Sequence, residues 1–128
     1  MAISHAVWLA LAGGLGTLAR AGVAAMAVRW CGRGLPWGTV AVNVLGSFVF
    51  GLLMAVGRGR LGLPMGLETV LLVGFLGGFT TYSSFAFQSY DLLEQGRLLA
   101  AAAYVLGTTV TALAAVGAGL LLGRSLGG

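Results

Sequence analysis

The sequence predicts an all-α integral membrane protein with four transmembrane helices, the third of them broken mid-membrane. Three observations carry this. Only 8% of the 128 residues are charged while 59% are hydrophobic, far fewer charges than a soluble surface needs. Stretches 34–57, 69–90 and 98–123 contain no Asp, Glu, Lys or Arg, and residues 1–28 contain only Arg20 besides the titratable His5. About 20 apolar residues cross the hydrocarbon as a helix, and the apolar runs lack the alternation of a membrane β-barrel. The mean hydropathy of +1.00 excludes disorder.

The expected spans are 4–29, 36–57, 67–96 and 98–123. In the first, Leu18-Ala19-Arg20-Ala21 loosely resembles a signal-peptidase site, but no basic region precedes the apolar run. The short connections leave no room for a soluble domain, so residues 1–128 are read as one transmembrane domain. Gly34/Gly38, Gly74/Gly78 and Gly119/Gly123 have the four-residue spacing of close helix contacts, although 23 glycines also produce such pairs by chance. In the third span, Gly77-Gly78 is followed by Thr80-Thr81 and Ser83-Ser84. Glycine loosens a helix, and Ser/Thr hydroxyls capture the backbone groups that are released. The expected break is at 77–81.

Loop charges do not orient the chain. Arg58, Arg60 and Arg124 fall on one side and Arg29, Arg33 and Arg97 on the other, three against three. One reading is that loop counting fails for so small a protein. The other is dual topology, with copies inserted both ways and paired antiparallel.

Polar residues inside the spans are few. Arg20 is the one firmly charged residue within a span. Glu68, Asp91 and Glu94 lie only at the ends of the third, so no intramembrane carboxylate is placed for proton coupling. Thr39, Asn43 and Ser47 line one face of the second helix. Tyr104, Thr108 and Thr111 form a hydroxyl stripe on the fourth, with Thr109 pointing elsewhere. Tyr82 and Phe85 share a face after the break, where ring edges are electropositive. Each of these residues also has a plain structural reading as a helix-packing or self-capping group. Gly14-Leu15-Gly16-Thr17-Leu18-Ala19 fits a loose dinucleotide pattern but lacks its strand and its acid. No nucleophile–base pair is recognisable, and scattered arginines without a basic cluster do not suit nucleic acid.

Three blocks together resemble the CrcB/Fluc family of fluoride channels. They are Gly13-Gly14-x-Gly16-x-x-x-Arg20, then Gly38-Thr39-x-x-x-Asn43-x-x-Gly46-Ser47-Phe48-x-x-Gly51, then Gly74-Phe75-x-Gly77-Gly78-Phe79-Thr80-Thr81-Tyr82-Ser83-Ser84-Phe85. The resemblance implies an antiparallel dual-topology homodimer in the cell inner membrane, exporting fluoride passively through two pores. It implies a structural sodium ion at the dimer interface, held by backbone carbonyls of Gly77 and Thr80. It places Asn43, Tyr82, Ser83, Phe85, Thr39, Tyr104, Thr108 and Thr111 along the fluoride pathway and Arg20 near its vestibule. Two positions depart from the pattern: Tyr82 replaces the usual phenylalanine, and Gln88 stands where some members carry an acid. A small dual-topology multidrug transporter and a non-transporting scaffold subunit are the competing readings of the same four spans.

Overall fold

The computed structural model describes residues 1–127 and is all-helical, with no strand among them. Helix α1 runs Ile3–Cys31 and α2 Trp37–Arg58. Helix α3 covers residues 65–79, α4 Tyr82–Glu94 and α5 Leu98–Gly127. Four helical segments, with α3 and α4 counted as one, are long and apolar enough to cross a bilayer.

Local chemistry sets the ends. Gly32 closes α1 at φ 77°, a left-handed conformation that needs no Cβ, with its amide on the Val28 carbonyl. Pro36 precedes α2 and Pro64 precedes α3, where a missing N–H is harmless. Gly96, at φ 73°, ends α4 in a Schellman turn: its amide donates to Leu93 and that of Arg97 to Leu92.

Packing depends on absent side chains. Helices α2 and α5 make the most extensive contact. A Cβ on Gly119 would strike the Phe48 carbonyl, and one on Gly51 would strike the Val116 carbonyl. Helices α1 and α3 meet in the same way through Gly16 against Phe75 and Gly78 against Gly13. Of the paired glycines, Gly38, Gly74, Gly78, Gly119 and Gly123 sit at such contacts, whereas Gly34 faces open space. In lipid, van der Waals packing of this kind replaces the hydrophobic drive of a soluble core.

The buried core is correspondingly thin: Val42, Leu72, Leu76 and Phe79 in one cluster, and Leu92, Ala101 and Tyr104 in another. Outside it, Leu11, Leu15 and Leu18 on α1 and Leu106, Val110 and Leu113 on α5 are exposed. A helix apolar on every side needs lipid or protein around it.

Two irregularities occur in the third segment. Val70–Leu76 is wound as a π-helix, which widens the turn ahead of Gly77. After Phe79 the backbone extends, at φ −87°, ψ 163° for Thr80 and φ −153°, ψ 117° for Thr81, and α4 starts at Tyr82.

Candidate functional site

The extended pair at Thr80–Thr81 is held by side chains from α2. The Asn43 amide Nδ2 donates to the Thr81 carbonyl at 3.0 Å, and the Thr81 amide donates to Asn43 Oδ1 at 2.8 Å. One carboxamide thus replaces a strand partner for one residue. Thr81 Oγ1 accepts from the Ser84 amide at 3.2 Å and caps α4. Thr80 turns its hydroxyl back to the Leu76 carbonyl at 2.8 Å. Its methyl fills the space over Gly46, one turn beyond Asn43, where any Cβ would collide.

These bonds redirect the backbone. In a continuous helix the Thr81 amide would close on the Gly77 carbonyl and the Ser84 amide on that of Thr80. Both amides are engaged elsewhere, so both carbonyls are released from the helical ladder. Gly78's carbonyl is taken by Arg20, whose Nε donates to it at 3.0 Å. A half-buried guanidinium in an apolar span therefore caps the end of α3. We predict that Arg20→Gln lowers the detergent-solubilised protein's stability by about 1.5–3 kcal/mol, the range for a hydrogen bond to a charged group. A thermal melt followed by size-exclusion recovery checks this, and an unchanged midpoint would show the bond to be dispensable.

Beside the interruption lies a cleft of about 380 Å³ between α2, α3, α4 and α5. Asn43, Ser47, Gly77, Thr80, Thr81, Tyr82, Phe85 and Thr108 all line it. It contains no charged lining residue. Thr108 Oγ1 is buried with no hydrogen-bond partner among the described residues. Its neighbours differ: Thr109 and Thr111 each donate back to a carbonyl one turn earlier. A buried hydroxyl left unpaired is costly unless a ligand or water completes it.

Tyr82, Phe85 and Tyr104 form a tilted aromatic ladder, with centroids 6.0 Å and then 5.3 Å apart. Tyr104 is buried against Thr39, and its hydroxyl donates to Gln88 Oε1 at 2.8 Å. Thr39 and Gln88 line a second, more polar pocket at the end of α4. The expected stripe on the last helix is thus divided. Thr108 faces the cleft, Tyr104 lies between the two pockets, and Thr111 opens onto a separate apolar groove with Val44 and Phe48. Thr109, which the sequence places off the stripe, also lines the cleft, next to Thr108. Ser83 is exposed and lines neither pocket.

Among the described residues no group of three or more His, Cys, Asp or Glu could hold a metal. The oxygen atoms released at the interruption are peptide carbonyls, which suit a hard monovalent or divalent cation.

Four membrane-length helical segments, three of which enclose a cleft of neutral polar groups, define a multi-pass membrane protein with an internal polar site. Residues 7–120 match the family described as CrcB-like protein, Camphor Resistance (CrcB), and the chain belongs to that family. It is 47% identical over 117 residues to the fluoride-specific ion channel FluC of Solidesulfovibrio magneticus, covering 91% of this chain and 94% of the relative. The proteins of the same name from Nitratidesulfovibrio vulgaris and Agrobacterium fabrum are 46% and 43% identical. These matches cover 92% of this chain and 95% and 94% of the relatives. Ion channels are not enzymes, and the family is a non-enzymatic one.

Proposed function

We propose that this chain is a fluoride-specific channel that lets fluoride leave the cytoplasm passively across the inner membrane. The observation that carries the reading is the uncharged polar cleft with the unpartnered Thr108 hydroxyl at its wall. Fluoride is small and strongly hydrated, so a conduit must replace its water with N–H and O–H donors. It must also hold the ion loosely enough to let it go. The unpartnered Thr108 hydroxyl, the second Asn43 N–H, and the ring edges of Tyr82 and Phe85 meet that requirement without a positively charged side chain that would trap the ion, and Thr39 and Tyr104 extend the pathway where the Tyr104 hydroxyl exchanges Gln88 for the ion. Ser83 and Thr111 belong to this pathway only through surfaces completed by a second copy.

The assembly that suits this chain is an antiparallel homodimer of dual topology. It is supported by the even loop-arginine count and by the apolar faces left uncovered on α1 and α5. In it the single domain acts with its inverted copy, and the interrupted third span lies at the two-fold axis inside the bilayer. The carbonyls of Gly77 and Thr80, released from the ladder by Asn43 and Thr81, would together hold a structural sodium ion there. The ion would supply a fixed positive centre binding the two copies together.

Purified protein in liposomes is expected to release fluoride without a proton gradient and to exclude chloride. Flux that depended on a proton gradient would favour an exporter, and no flux at all would favour a scaffold. Phe85→Ile removes the central ring of the ladder and is expected to slow fluoride release roughly tenfold, the worth of one good aromatic interaction. A fluoride electrode reads the rate directly, and wild-type flux in this variant would remove the ring edge from the mechanism.

A further inference from the structure

We infer that the pocket at the end of α4 is an anion-collecting mouth, in which Arg33 and Arg97 raise the local concentration of small inorganic anions. The pocket, about 270 Å³, lies between the α1–α2 loop and the α4–α5 turn, and both arginines line it. Arg97 is fixed in place: its Nη1 donates to the Gly34 carbonyl at 2.8 Å, holding the guanidinium across the loop. The one acid lining the pocket is Asp91, whose Oδ2 accepts from Gln95 Nε2 at 2.8 Å rather than from either cation. Two cations against one anion leave a net charge of +1. At the other end of the fold Arg58 is paired with Glu68 at 3.1 Å, the one ion pair among the described residues, and Arg60 donates to the Leu126 carbonyl at 3.1 Å.

The charge is placed where it bears on the cleft. Thr39 and Gln88 line the pocket, and the Tyr104 hydroxyl donates to Gln88 while its ring packs on Phe85 of the cleft wall. A concave, low-dielectric pocket focuses the field of its charges and concentrates counter-ions at its base. Such a field is screened over roughly 10 Å at 0.1 M salt, so its influence must fade as ionic strength rises. The pocket therefore sets supply, and the neutral cleft below it sets selectivity.

The inference makes use of the channel reading in only one of two measurements. The first reads the field itself. Gln95→Cys in a Cys31→Ser background places a thiol in the pocket, and anionic and cationic methanethiosulfonates compete for it. The anionic reagent is expected to be favoured at low salt, and Arg33→Gln with Arg97→Gln should lower that preference by about 10-fold, the lower end of the steering range. An unchanged preference would overturn the inference whether or not the protein conducts. The second measurement is fluoride flux. The double variant is expected to lose flux several-fold at about 10 mM salt and to match wild type near 1 M, where the Debye length is about 3 Å. An equal loss at both salt concentrations would mean that the arginines only shape the loop, and no loss at low salt would mean that they collect nothing. A wild type that fails to conduct fluoride, with the thiol result intact, would overturn the channel reading and leave the anion pocket standing.

Discussion

Asn43→Asp is expected to abolish fluoride conduction while leaving protein that can still be purified. The aspartate keeps an oxygen for the Thr81 amide but loses the N–H that donates to the Thr81 carbonyl. A carboxylate oxygen then faces that carbonyl, and the neutral cleft acquires a negative charge. An anion about 4 Å from a unit charge, at an effective dielectric near 20, is disfavoured by about 4 kcal/mol. That corresponds to roughly a thousandfold loss of flux. Asn43→Ala separates the two effects, since it removes both hydrogen bonds and adds no charge. Conduction by the aspartate variant at the wild-type rate would show that fluoride does not pass Asn43.

The second large effect is on folding. Gly119→Val is expected to destabilise the bundle by about 2–3 kcal/mol, the upper part of the range for overpacking, or roughly 10 °C in melting temperature. The atoms in the way are backbone: the Phe48 carbonyl, and the Leu52 amide nitrogen at 2.8 Å from the added Cβ. Neither can swing aside as a side chain would, so α2 and α5 must separate along their most extensive contact. Gly117→Val on the same helix meets nothing within 4 Å and is expected to melt like wild type. Paired melts of the two variants in detergent check this, and equal midpoints would show that the α2–α5 contact tolerates a gap.

The helices were legible in the sequence because charge-free length is a local property. Charged side chains are costly inside the membrane, so Arg58 to Glu68 and Asp91 to Arg97 mark the ends of spans almost without regard to tertiary structure. The Thr80-Thr81-Tyr82-Ser83-Ser84 run signalled where hydroxyls could serve backbone, and Thr80 and Thr81 do so. What the sequence did not disclose is which partners meet across the bundle. Nothing local says that the Asn43 amide would take the Thr81 backbone, or that Arg20 would reach the Gly78 carbonyl, 38 and 58 residues away. The π-helix at Val70–Leu76 has no composition signal of its own. Helix α5 is apolar on every side, so its rotation cannot be read from periodicity: Thr109 lines the cleft, and Thr111 lines a separate groove.

The Asn43–Thr81 clamp also has a consequence for biogenesis. An open peptide pair has no place among lipid tails, where each unsatisfied N–H or C=O costs several kcal/mol. The extended conformation of Thr80 and Thr81 is therefore tenable in a bilayer only once Asn43 is alongside. Ribosomal order provides for this, since α2 leaves the ribosome ahead of the third span. The chain carries its template for the kink one transmembrane segment upstream of the kink itself. A circular permutation that moved α2 to the C-terminus would require residues 80–81 to enter the membrane before their template had been made.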